Sequence, residues 1–207
     1  MKGLSLAIVF ACCTLAVAAQ EDGFRVNYQG AKPTIKDFAC AYLASLFVDV
    51  EECDLEGLGL YADLQESIKC QDKGLPLEEN RILNIDQKNG FLVYEHKHSE
   101  YLSRIEMCYW NEADGKHKLF ACNRWSFENG KPMMGQFDVL SFYRYDNATK
   151  TMTGWYEDVG FEVEYNHDGA FVSYDLPRTG KDIVVTTWYD DGPQRKTLKW
   201  NGRRFSY

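Results

Sequence analysis

The chain has 207 residues and a formal net charge of −8. That acidic balance repels nucleic-acid phosphate and anionic lipid, so neither is an expected partner. Aromatic residues make up 14% of the chain, enough for a packed core and too many for a disordered one.

The first twenty residues read as a secretory leader. Met1 and Lys2 form a basic start, and Leu4 to Val17 form an apolar run broken by Ser5 and Thr14. Small residues at Ala16, Val17, Ala18 and Ala19 supply a cleavage site ahead of Glu21 and Asp22. The run is short for a membrane span, which needs about 20 residues. An uncleaved anchor helix and a lipoprotein site at Cys12 are the alternatives. In the second, apolar sequence follows the cysteine where a polar tether belongs. The expected organisation is therefore a cleaved leader over 1–19 and one domain over 20–207. It implies a periplasmic, secreted or cell-surface protein with no membrane insertion after cleavage.

Five cysteines follow the leader: Cys40, Cys53, Cys70, Cys108 and Cys122. An oxidising compartment favours pairing, and an odd number leaves one thiol over. The spacings match no zinc pattern.

Residues 34–48 carry the period of an amphipathic helix. Thr34 and Asp37 make an N-terminal capping pair, and Ile35, Phe38, Ala39, Tyr42, Leu43, Leu46 and Phe47 form one stripe. An acidic break follows. A second helix is expected over about 58–70, with Leu60, Tyr61, Leu64 and Ile68 on one face. An antiparallel helix pair would bring Cys40 and Cys70 to similar heights, so a bridge between them is expected. Cys53 is then the odd thiol and a possible link between chains.

From Arg81 the period changes to two. Strands are expected over 81–86, 90–97, 101–110, 118–126, 137–145, 151–157, 160–166, 170–175, 182–189 and 195–206. Asn-Gly and Asp-Gly turns separate several of them. The fold class is thus α+β and mostly β: a two-helix segment over 34–70 packed on a long antiparallel meander over 81–207. A meander of this length must curl into a sandwich or incomplete barrel to protect its edges. Cys108 and Cys122 lie seven residues either side of Gly115. A hairpin turning at 114–116 would set them opposite each other and allow a disulfide.

The succession Asp86 to Phe91, Cys108-Tyr109-Trp110, Asp114-Gly115-Lys116, Phe142 to Asp146, Asp175-Leu176-Pro177, Gly180 to Ile183 and Leu198 to Phe205 resembles a group of uncharacterised secreted proteins from Bacteroidetes. The resemblance spans roughly 80–207. It implies a periplasmic or cell-surface setting. It implies no activity and carries over no catalytic residue.

Three constellations are candidates for chemistry. His96, His98 and Glu100 alternate along one strand face and could offer zinc an open three-ligand site. A solvated strand end is the plainer alternative, and no cofactor is expected. Glu157, Asp158, Glu162 and Glu164 cluster, and a glycosidase needs two carboxyls about 5–9.5 Å apart. A charged, solvent-facing side of the sheet is the plainer explanation. Trp110, Trp125, Trp155 and Trp188 recur along the strands. If their rings align outward they form a platform for a glycan, peptide or protein partner. β-propensity accounts for them otherwise. A non-enzymatic binding module is the first reading. A small metal-dependent or carboxylate-based hydrolase is the alternative.

Overall fold

The computed structural model describes residues 23–48, 55–133, 139–155 and 159–207. The expected leader over 1–19, Cys53, Glu157 and Asp158 lie outside the described residues.

Helix α1 (Ile35–Leu46) begins at the expected cap. Thr34 N–H donates to Asp37 Oδ2 at 2.7 Å, and Asp37 N–H donates back to Thr34 Oγ1 at 3.4 Å. Two amides that the helix start would leave unpaired are thereby satisfied. Its buried residues are Ile35, Phe38, Ala39, Tyr42 and Leu43. Helix α2 (Leu55–Asp72) is longer than its apolar pattern. It buries Leu60, Tyr61, Leu64 and Ile68, as the spacing predicts. Lys36 and Asp72 pair between the two helices.

The rest is antiparallel sheet. Strands β2 (Arg81–Asp86), β3 (Phe91–His98), β4 (Tyr101–Asn111), β5 (His117–Glu128), β7 (Val139–Asp146) and β8 (Thr151–Gly154) follow one another as a meander. Short strand β1 (Phe24–Arg25) borders β8, and β6 (Lys131–Met133) pairs the end of β5. A second sheet runs β13 (Phe205–Ser206), β12 (Gly192–Trp200), β11 (Ile183–Tyr189), β10 (Ala170–Asp175), β9 (Asn166–His167). Two sheets and a helix pair make three layers. The eight-stranded sheet is the middle one, and each of its faces buries a separate core.

Side-chain alternation decides what each face holds. Leu92, Tyr94, Ile105, Met107, Phe120, Cys122 and Tyr145 face the helices. Phe91, Cys108, Trp110, Leu119, Ala121, Trp125 and Phe142 face the small sheet, against Val172, Tyr174, Ile183, Val185 and Leu198.

This arrangement overturns the Cys108–Cys122 bridge. The hairpin pairs Cys108 with Ala121 and Met107 with Cys122. The turn is centred between Asp114 and Gly115, half a residue from the assumed position. A one-residue change of partner moves a side chain to the other side of the sheet. Cys108 therefore lies in one core and Cys122 in the other, both as buried free thiols. Cys40 and Cys70 are also unbridged. Cys40 sits off the buried stripe of α1 and is exposed, whereas Cys70 Sγ turns along its own helix to Glu66 Oε1 at 3.8 Å.

Two expected strands also change. Residues 160–166 do not form a strand, and β9 covers only its end. Their bonds go elsewhere: Val172 N–H donates to Tyr165 O at 3.1 Å, and Leu140 N–H donates to Tyr165 Oη at 3.0 Å. The final segment splits at Asn201-Gly202 into β12 and β13.

Gly160 shows how tightly this segment is laid down. Its φ is +99°, and a Cβ there would stand 1.9 Å from Phe205 O. Gly115 also has positive φ, +68°, but faces open space. Gly160→Ala should lower stability by about 3 kcal/mol or more, through strain and clash together. Gly115→Ala should cost only about 1–2 kcal/mol, the left-handed backbone cost alone. Urea unfolding of the two variants checks the order.

Candidate functional site

The middle sheet carries one polar interruption on its inner face. In β4 the inward positions run Arg104, Glu106, Cys108, Trp110. Opposite them in β5 stand Trp125, Asn123, Ala121 and Leu119. Glu106 and Asn123 are thus direct cross-strand partners, both buried.

Strand β10 explains why polar groups are there. Its side away from β11 pairs with β9 only at Ala170 and Phe171. Beyond that point Val172 N–H donates to Tyr165 O at 3.1 Å. Asn123 Nδ2 then donates to Tyr174 O at 2.7 Å, and Leu176 N–H donates to Glu106 Oε2 at 3.0 Å. Two side chains of the large sheet complete the edge of the small one. The Asn123 contact also fixes the amide orientation, since only its nitrogen can face a carbonyl oxygen.

Beside this junction lies a cleft of about 180 Å3. Arg104, Glu106, Asn123, Trp125 and Phe127 form the wall from the large sheet. The small sheet contributes Ser173, Tyr174, Asp175, Thr186, Trp188 and Arg195. Ser173 pairs with Thr186, and Phe171 with Trp188. These positions alternate with the core residues Val172, Tyr174 and Val185, so the cleft uses the other face of the small sheet. Trp188 is fixed by donating its Nε1–H to Ser173 Oγ at 2.9 Å.

Two polar atoms in the lining residues are buried with no hydrogen-bond partner in the protein. They are Asn123 Oδ1, an acceptor, and Trp125 Nε1, a donor. Both residues are 2% exposed. Leaving such atoms unpaired costs about 1–3 kcal/mol each, so both are polar demands that the protein's own groups do not meet.

The electrostatics are equally marked. Burial pushes the Glu106 carboxyl up to about 7. The Leu176 N–H and Arg104 oppose this, and Asp175 adds to it. Arg104 is mainly engaged elsewhere: its Nη2 lies 2.7 Å from Glu95 Oε1 but its Nη1 is 3.9 Å from Glu106 Oε1. Asp175 stands exposed at the rim, and partial desolvation by the cleft walls raises its carboxyl above the usual range. Arg104 and Arg195 pull it back.

The four tryptophans do not form one platform. Trp110 is core: its ring packs on Phe205 and Trp200, and its Nε1–H donates to Lys181 O at 2.8 Å. Trp155 is half-buried elsewhere, under the Arg144 guanidinium at 4.7 Å. Only Trp125 and Trp188 share a site, the cleft.

The zinc set is not assembled as expected. His96 and His98 do meet, with His98 Nε2 3.1 Å from His96 Nδ1. Glu100, however, lies in the exposed turn after β3, where Ser99 takes a φ of +50°. Asp63 of α2 occupies the position beside the histidines, its Oδ2 3.1 Å from His96 Nδ1. Arg81 pairs with the same carboxylate at 3.1 Å. Burial and the neighbouring His98 lower the His96 pKa, which favours the neutral ring. The arrangement ties α2 to the sheet.

Of the carboxylate cluster, Glu162 and Glu164 are exposed on an irregular segment, and Glu164 contacts His167 at 3.2 Å. Another group, Glu112, Asp114 and His117, brings metal-type ligands together at the β4–β5 turn. Arg144 already supplies the positive charge there, binding Glu112 through two nitrogens at 2.8 and 2.6 Å. Among the described residues, no helix is long and apolar enough to cross a membrane.

No family model, curated protein or solved structure matches this chain.

The Glu106 carboxyl gives a stability signature. Its folded pKa, about 7, lies above its ordinary value of 4.5, so the folded state holds the proton more tightly. Stability should be fully retained below pH 4.5 and fall as pH rises to about 7, by on the order of 3 kcal/mol. Glu106→Gln should remove this loss and be the more stable protein at pH 8. Urea midpoints of both proteins across pH 4–8 measure it.

Proposed function

We propose that the chain is an exported, envelope-associated binding module that takes a hydroxyl-rich residue, such as the end sugar of a glycan, into the cleft between its sheets. The observation that carries this reading is one cavity lined by two tryptophans together with polar and charged side chains from both sheets. A sugar presents hydroxyls that donate and accept beside an apolar ring edge, so one ligand class matches that mixed lining. Trp125 and Trp188 add ring surface for the apolar edge of a sugar. Ser173, Thr186 and Arg195 add polar contacts around it.

The rim favours a short chain over a protein surface. Phe171 stands opposite Trp188 in the register and is 39% exposed, so it would extend the ring surface outward. Among the described residues, the other large exposed apolar side chains, Val48, Leu75, Ile82, Tyr101 and Tyr207, come from separate segments of the chain. The leader-like start and the resemblance to secreted Bacteroidetes proteins support the envelope setting.

Titration calorimetry and tryptophan fluorescence against cello-, xylo-, malto- and chito-oligosaccharides test the reading. At least one should bind. Trp188→Ala should weaken it at least about tenfold, or 1.4 kcal/mol. Trp155→Ala, remote from the cleft, should leave affinity unchanged. Absence of heat and of fluorescence change across the panel contradicts the proposal.

A further inference from the structure

Resting on the glycan reading, we propose that the cleft also hydrolyses the glycosidic bond of the residue it holds, with Glu106 as the acid and Asp175 as the base. The two carboxyl residues come from different sheets and line one cavity with Trp125 and Trp188. Glycoside hydrolysis asks for this division, one carboxyl kept protonated and one kept ionised across the scissile bond. Glu106 is on the dry side, 8% exposed, and Asp175 is on the wet side. Water reaches the rim, where Asp175 stands.

Exposure keeps the roles distinct, with Glu106 buried and Asp175 open to solvent. Arg104 makes its close pair with Glu95 and stands farther from Glu106, so it offsets the burial of Glu106 only in part. The charged and titratable neighbours of Glu106 are Arg104 and Cys108 on its own strand and Asp175 on β10. Desolvation raises the Asp175 carboxyl as well, and Arg104 and Arg195 act against that rise. The Leu176 N–H holds the Glu106 side chain through Oε2, and Asn123 bonds the same side chain.

In the reaction Glu106 gives its proton to the glycosidic oxygen. The bond between that oxygen and the anomeric carbon breaks, and the oxygen keeps the electron pair. A water molecule forms the new bond to the anomeric carbon and loses one proton to the Asp175 carboxylate. One water is consumed, nothing is oxidised or reduced, and Asp175 returns its proton to Glu106 through solvent.

The test uses the whole protein, the same oligosaccharide panel and the matching 4-nitrophenyl glycosides. New reducing ends should appear from the oligosaccharide that binds. Glu106→Gln should slow their release at least about 100-fold while affinity stays within about threefold. Its defect should shrink on 4-nitrophenyl glycosides, because nitrophenolate leaves without protonation. Asp175→Asn should lose activity on both substrate types, with recovery in azide or formate. The wild-type rate should fall above about pH 7, where Glu106 loses its proton. Binding without any new reducing ends overturns hydrolysis and leaves the binding module intact. Turnover that survives Glu106→Gln undiminished overturns the acid assignment. No binding by any panel member overturns both.

Discussion

The unpaired edge of β10 is the constraint around which this molecule is built. A strand edge turned into a dry interface exposes amides and carbonyls that water cannot reach. Here the large sheet answers them with side chains, Asn123 to Tyr174 O and Glu106 to Leu176 N–H. The small sheet is thereby fixed in place and angle on the inner core. Apolar contact alone would not set that position, because packing of Val172, Tyr174 and Val185 on the middle sheet is not directional.

The same solution creates the chemistry. Two buried polar residues are needed at the junction, and both belong to the lining of a cleft. Asn123 has satisfied its nitrogen and leaves its oxygen unpaired. Glu106 receives the Leu176 amide, a bond from Asn123 and part of the Arg104 charge, together too little to offset its burial, so its carboxyl sits near neutrality. A group with that balance can donate a hydrogen bond or a proton where an ordinary glutamate cannot. Architecture and reactivity therefore share the same two side chains.

Much of the fold was legible locally. The α1 stripe from Ile35 to Leu43 and the Thr34 cap are short-range patterns, and the structure keeps both. Strands 81–86 and 170–175 match their alternation and bounding turns to the residue. The errors came from register and from long-range pairing. The Cys108–Cys122 hairpin was right in kind and shifted by one partner, which sends the two sulfurs to opposite cores. Residues 160–166 alternate like a strand, yet their hydrogen bonds go to Leu140, Val172 and Tyr174 on different elements in place of one facing strand. The site was legible only in fragments. Trp125 and Trp188 belong to it, whereas Trp110 and Trp155 do not. Glu106 and Asn123 lie outside the tryptophan pattern, though the sequence carries a signal for them. The period-two phase puts Glu106 in line with Cys108 and Trp110, and Asn123 in line with Ala121 and Trp125. A carboxyl and an amide at core phase are expensive to bury without partners. Where their partners lie could not be read, because β10 is some fifty to seventy residues away.

Native-state hydrogen exchange at the Leu176 amide tests the junction most directly. It should be slow in the wild-type protein despite the lack of a strand neighbour on that side. Glu106→Ala should speed it at least about 100-fold, while amides between β10 and β11 keep their protection. A Leu176 amide that exchanges freely in the wild type, or that ignores the substitution, would contradict a carboxyl-held sheet edge.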